Sequence, residues 1–189
     1  MSYLYINTAF SHMEISVFSE NSVVFFKRWE PVNYMMGFLH HMEKIDFHSL
    51  SGLLVNIGPG RFGSLRMGLS FVNTISYTHN IPIYPYKSIQ YFHALKKRFS
   101  LDDSLCFLQQ TGVADVFVNG VLQSFNDVSE KKCSWYGDIR TPEKLPSRWS
   151  YKDIKPLRDK EFFVILLQSL EVQKNISLEY GRNPSIHIK

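Results

Sequence analysis

The run LLVNIGPGRFGSLRMGLSF, Leu53 to Phe71, limits this chain more than any other stretch. A short apolar segment ends in Gly58, Gly60 and Gly63, spaced G-x-G-x-x-G, and an amphipathic segment follows at once. A buried strand that turns through glycines into a helix belongs to α/β architecture. Alone, the spacing is a dinucleotide fingerprint, but that fingerprint needs an acid about 20 residues further on to hold a ribose. No Asp or Glu occurs from Phe47 to Leu101. Gly58 to Gly63 also has the G-x-x-x-x-G spacing of a phosphate loop, yet Ser64-Leu65 stands where Lys and then Ser or Thr are required. What remains is structural. Glycines let the chain leave the strand sharply, and Ser64 with Gly68 one turn later offers a smooth patch for a close backbone approach. The free N–H groups at the helix start would still attract an anion.

Around this loop the apolar pattern predicts the order βββαβαβα, then strands and a last helix. Residues 3–9, 13–18 and 23–29 alternate or are rich in β-formers, with SENS as a turn. An opening meander is foreign to a dinucleotide-binding domain. Pro31 suits a first helical position, and Met35, Phe38, Leu39, Met42 and Ile45 give one helical face over 32–45. Residues 51–57 read as a buried strand, 64–78 as a helix, 81–86 as a short strand and 88–99 as a helix capped by Ser88. In the second half 104–110, 114–118 and 121–125 are strand-like, and Asn119-Gly120 signals a two-residue hairpin. Residues 126–157 carry no clear period. Residues 157–170 predict a mostly buried helix, and 176–188 an extended closing segment. The sequence shows no internal repeat, and two small lobes, 1–100 and 101–189, are expected.

The net charge of +4 comes from scattered residues; the runs Lys96-Lys97-Arg98 and Lys131-Lys132 are short and read as solvated faces. Cys106 and Cys133 lack metal spacing and fit idle thiols in a reducing cytosol. The opening MSYLYIN lacks the basic and apolar regions of a signal peptide. The apolar run from Phe162 to Leu167 is too short for a bilayer. A cytoplasmic location without membrane attachment is expected. His40 and Glu43 could share an ion on a helix, but His41 points elsewhere and two ligands make no site. Trp135, Trp149 and Tyr151 read as packing residues or as stacking platforms for bases. Arg66 at a helix start reads as one half of an ion pair, within the chain or with a partner.

Gly58, Pro59, Gly60, Phe62, Leu65, Arg66 and Gly68 resemble the signature of the TsaB (YeaZ) family, Gly-Pro-Gly-Ser-Phe-Thr-Gly-Leu-Arg-Ile-Gly. The opening LYINTAFSHMEISVF and the closing SLEYGRNPSI are similar to the family's ends. The resemblance implies an α/β actin/hexokinase-like (ribonuclease H-like) fold of two small lobes whose first half runs βββαβα. It implies a non-catalytic scaffold in the complex that forms threonylcarbamoyladenosine on tRNA. The implied partners are a TsaD-like transferase subunit, a TsaE-like ATPase through the complex, tRNA indirectly, and a second copy when the chain is alone. No cofactor, metal or catalytic residue is implied. The implied pairing surface comprises Met35, Met36, Leu39 and Met42 on one helix and Ser64, Met67, Gly68 and Phe71 on the next. Gly58, Pro59, Gly60, Phe62 and Arg66 form the loop motif. Nucleotidases of the actin type carry an acid at the end of the first strand, where this chain has Asn7; an amide can neither act as a base nor neutralise a metal. Two alternatives stand beside this one: a small nucleotide-binding enzyme using the glycine loop, and a self-associated remnant without a TsaD-like partner.

Overall fold

Strand β1, Ser2–Asn7, is apolar on both sides, and so it lies in the middle of a sheet with cover on each face. Tyr3 and Tyr5 point to one core, Leu4 and Ile6 to another. The computed structural model describes residues 1–10, 12–29, 34–60, 62–101, 105–109, 115–118, 121–124, 134–138, 147, 150–151, 154–173 and 176–177. Met13–Ser19 (β2) pairs antiparallel with β1, and Val23–Trp29 (β3) antiparallel with β2. On the other side of β1, Leu50–Gly58 (β4) and Ile83–Lys87 (β5) add in parallel, giving the order β3-β2-β1-β4-β5.

Tyr34–Met42 (α1) and Phe62–His79 (α2) cover one face. Phe38 and Met42 of α1 and Leu69 and Val72 of α2 meet Leu4, Ile6, Leu53, Val55 and Ile83 there. Ser88–Phe99 (α3) and Lys160–Gln168 (α4) cover the other. Tyr91, Phe92 and Leu95 join Phe162, Phe163 and Leu166 against Tyr3, Tyr5, Leu54 and Tyr86. Ile154, Leu157, Phe162, Phe163, Leu166 and Ile176, which follow residue 100 in sequence, thus belong to the core of the first sheet. The sequence there reads as a helix because Asp159 caps it, accepting from the backbone N–H of Glu161 (2.9 Å) and Phe162 (3.3 Å). Asp159 also takes a two-pronged bond from Arg98 of α3, at 3.0 and 2.9 Å. Past α4 the chain crosses the rim of the sheet. Gln173 N donates to Ile83 O (2.8 Å), and Ile176 enters the core beneath α1 and α2.

The second sheet holds Leu105–Gln109 (β6), Asp115–Val118 (β7), Val121–Ser124 (β8), Ser134–Asp138 (β9) and Ser150–Tyr151 (β10). Its order is β10-β9-β6-β7-β8, with β6, β7 and β8 antiparallel and β6, β9 and β10 parallel. This is the wiring of the first sheet again. The sequence shows no repeat because strand pairing demands only a pattern of polarity, which unrelated residues satisfy. Val118 opposite Val121 fits the expected hairpin; Asn119-Gly120 itself lies outside the described residues, as do Pro31, Lys131-Lys132, Cys133, Trp149 and everything after 177. In the span without a clear period, β9, β10 and a 3-10 turn, Pro156–Arg158, emerge.

Two boundaries differ from expectation. Helix α2 starts two residues earlier, at Phe62, and ends where Asn80 adopts a left-handed φ of 53°. Ser88 is not the cap of α3. Lys87 holds that position, its N–H bonded to Gln90 Oε1 at 2.8 Å, while the Ser88 hydroxyl serves the glycine loop.

Candidate partner-binding face and the glycine loop

The glycine loop sits on a polar floor made by the ends of β1 and β4 and the start of α3. Gly58, at φ 112° and before a cis bond to Pro59, donates its N–H to Asn56 Oδ1 at 2.8 Å. Ser88 Oγ donates to Pro59 O at 2.9 Å and lies 3.1 Å from Asn56 Nδ2. Gly60 presses on the turn after β1: a Cβ there would stand 2.6 Å from Ala9 Cβ and from Ala9 O. Gly68 does the same one element on, since its Cβ would stand 2.5 Å from Thr8 Oγ1. The glycines therefore serve close contacts within the chain, and the buried polar groups of the floor hold the loop. A Cβ on Gly63, by contrast, would meet nothing within 4 Å.

Below the loop lies a buried network that the sequence reading missed. Asn7 Nδ2 donates to Tyr5 OH (3.2 Å) and Glu14 Oε2 (3.1 Å); its Oδ1 accepts from Ala9 N (3.1 Å) and Asn56 Nδ2 (3.3 Å). Tyr5 OH donates to Glu14 Oε2 at 2.9 Å. His12 Nε2 meets Glu14 Oε1 at 2.8 Å, and Arg28 meets His12 Nδ1 at 2.8 Å. Burial alone would raise the Glu14 carboxyl, but His12, Arg28 and the bond from Tyr5 outweigh it and hold it below its ordinary value. Burial, then Glu14, pushes the Tyr5 phenol well up, so it stays a neutral donor. The amide at Asn7 thus ties three strands and the glycine loop together. A signal was present: alternation in MEISVF sets Glu14 on the Phe18 side, the aromatic core, where a carboxylate must find partners.

The residues expected to face a partner divide into two groups. Met36 is 70% exposed and Leu39 43%, one turn apart on the outer side of α1. Phe62 is 50% exposed at the start of α2, and the exposed Arg66 lies over its ring at 5.2 Å. Among the described residues Arg66 meets no carboxylate. Ser64 is half-buried, as are Met67 and Phe71, both packed on the core beneath α2. Phe71 meets Phe38 edge-on at 4.7 Å, which joins the two helices. Met42 and Gly68 are corrections: both are buried by this chain's own atoms, Met42 in the core under α1 and Gly68 against Thr8, so neither lies on an open face. Met35 lies in α1, its side chain outside the described residues. His41 packs edge-on against Trp29 at 5.0 Å, and burial followed by the nearby His40 lowers its pKa.

The family model for TsaD, tRNA N6-adenosine threonylcarbamoyltransferase, matches residues 31–125. The chain belongs to this family. Within it the architecture is that of the YeaZ (TsaB) proteins. YeaZ from Pseudomonas aeruginosa superposes with a TM-score of 0.60 at 10% identity, over 87% of this chain and 90% of that one. A protein described as uncharacterized with similarity to peptidase YEAZ from Pseudomonas aeruginosa gives 0.62 at 12% identity, over 96% and 99%. No curated protein matches the sequence. The TsaB-like chain therefore has the α/β actin/hexokinase-like fold, reached with a sequence that has diverged far from both. Among its described residues no helix is long and apolar enough to cross a membrane.

Proposed function

We propose that this chain is a non-catalytic scaffold subunit in the formation of threonylcarbamoyladenosine on tRNA, one that binds and activates a TsaD-like transferase. The observation that carries the reading is the exposure of Met36 and Leu39 on α1 and of Phe62 on α2; Met1, Val24, Tyr77 and Val172 are the other large apolar side chains exposed among the described residues. Flexible thioethers suit a face that packs on more than one partner, which here means the transferase and, when the chain is alone, a second copy. A TsaE-like ATPase and tRNA join through the assembly rather than through this face. An interface of about 1,600 Å² in total is within reach of two helix faces and their loops. The commitment of Asn7, Asn56 and Ser88 to holding the loop supports a role without chemistry or cofactor in this subunit.

Co-expression with the TsaD-like subunit of the same cell, followed by a sizing column, tests this. Co-elution is expected, and Met36→Asp with Leu39→Asp should abolish it while leaving the circular dichroism of the chain unchanged. Failure to co-elute with or without nucleotide removes the reading. Calorimetry with ATP and magnesium should be silent; tight binding would instead favour a nucleotide-using enzyme.

A further inference from the structure

His12 stands between two groups that dictate where its proton sits. A guanidinium can only donate, so the His12 Nδ1 that Arg28 meets at 2.8 Å must accept. The proton of the neutral ring is then on Nε2, which donates to Glu14 Oε1 at 2.8 Å. Among the described residues, one guanidinium, one carboxylate and one neutral imidazole together carry no net charge. Among the described residues, the titratable groups around it are Glu14 from β2, Arg28 from β3 and, through Glu14, Tyr5 from β1, and the Asn7 amide also bonds the carboxylate. A second proton can enter the ring only at Nδ1. It would turn an acceptor into a donor and set two cations against each other, while the bond to Glu14 would gain charge. Arg28 is exposed overall, so its head can leave for solvent at little cost.

Arg28 and Trp29 end β3, on the rungs Glu14 to Arg28 and Met13 to Trp29. Trp29 is the seat of α1. A Cβ on Gly37 would stand 2.9 Å from its indole nitrogen, and its ring meets Phe38 at 6.5 Å and His41 at 5.0 Å. We propose that the bond from Arg28 to His12 is a proton-operated latch: with His12 neutral it fixes the end of β3 and, through Trp29, the position of α1, and protonation of His12 releases both. The use of the latch, weaker docking of the transferase in acid, rests on the function proposed above; the latch itself belongs to the isolated chain.

Nitrogen-15 spectra of the full chain read the tautomer directly. The Nε2–H form is expected at about pH 7.5, and the protection of α1 amides against hydrogen exchange should fall about tenfold as His12 gains its proton, the weight of one charge-assisted bond. His12→Gln keeps an oxygen for Arg28 and an N–H for Glu14 but cannot charge, so its α1 should stay protected in acid. Arg28→Met should show the lower protection at both pH values, and as a change at an exposed side chain it keeps the test open if His12→Gln does not fold. His41 also touches Trp29, with His40, Lys27 and Lys44 nearby; an acid loss that survives in His12→Gln belongs to His41 and overturns the latch. A neutral Nδ1–H ring, or α1 protection unchanged as His12 charges, overturns it too. A working latch with no transferase binding at any pH would sink the scaffold and spare the latch; binding without a latch would do the reverse.

Discussion

Gly68 and Asp159 carry more than their size suggests. A methyl group on Gly68 would have to displace Thr8, one residue past β1 at the turn on which the glycine loop rests. Gly68→Ala should therefore destabilise the isolated chain by about 1–3 kcal/mol in thermal or urea unfolding, the usual result of overpacking. An unchanged midpoint would mean that Thr8 turns aside freely. Asp159→Ala removes the cap of α4 and the partner of Arg98 in one step. A loss of about 1–2 kcal/mol is expected, most of it from the cap, because the Arg98 end of the pair is partly solvated. Arg98→Met in the same assay should cost much less. The glycine itself was plain in the sequence, but its partner was not. Nothing in SLRMGLSF tells whether the space at Gly68 is filled by a neighbouring molecule or by residue 8 of the same chain, since that depends on which strand ends beside α2.

At the scale of elements, α1 and α2 have divided faces. Phe38, Leu69 and Val72 hold them to the sheet, while Met36, Leu39 and Phe62 face outward. Periodicity placed all of these but Phe62 on helices, Phe62 being read as part of the loop, and the strands of the first sheet fall within a residue or two of their expected ends. It could not sort Met42 from Leu39, because both satisfy the same three- and four-residue steps and only the crossing of α1 over the sheet decides which is covered. The His12, Glu14 and Arg28 cluster stayed hidden for a related reason: it joins two strands and a turn through pairings that single-strand alternation does not reveal. Met36→Asp alone should leave unfolding within about 0.5 kcal/mol of the parent, as for other exposed positions. Any effect on the transferase complex would then be read as loss of contact, not loss of fold.

At the scale of the whole molecule, the aromatic core and the buried Glu14 stand out among the described residues. Phe163 lies 4.5 Å from Phe18 and 5.1 Å from Tyr5, ring centre to ring centre, and is fully buried. Phe163→Ala should cost about 3–5 kcal/mol, enough to threaten a domain of ordinary stability. Glu14 sets the response to acid. Its carboxyl is held below the ordinary value in the folded chain, so the unfolded chain takes up the proton first as pH falls. Its stabilising contribution is whole above the ordinary carboxylate range and is lost as pH drops through that range to the lower folded value. Urea titrations at stepped pH should show this acid limb, and Glu14→Gln should flatten it. The strip from Ser169 to Ile176 adds a constraint on motion. By leaving one helical layer, clasping the outer strand at Ile83 and anchoring under the opposite layer, it works as a belt around the slab. Neither layer can peel from the slab without dragging on its counterpart, so the first sheet should unfold in one concerted step, and a cut within this belt should break that step in two.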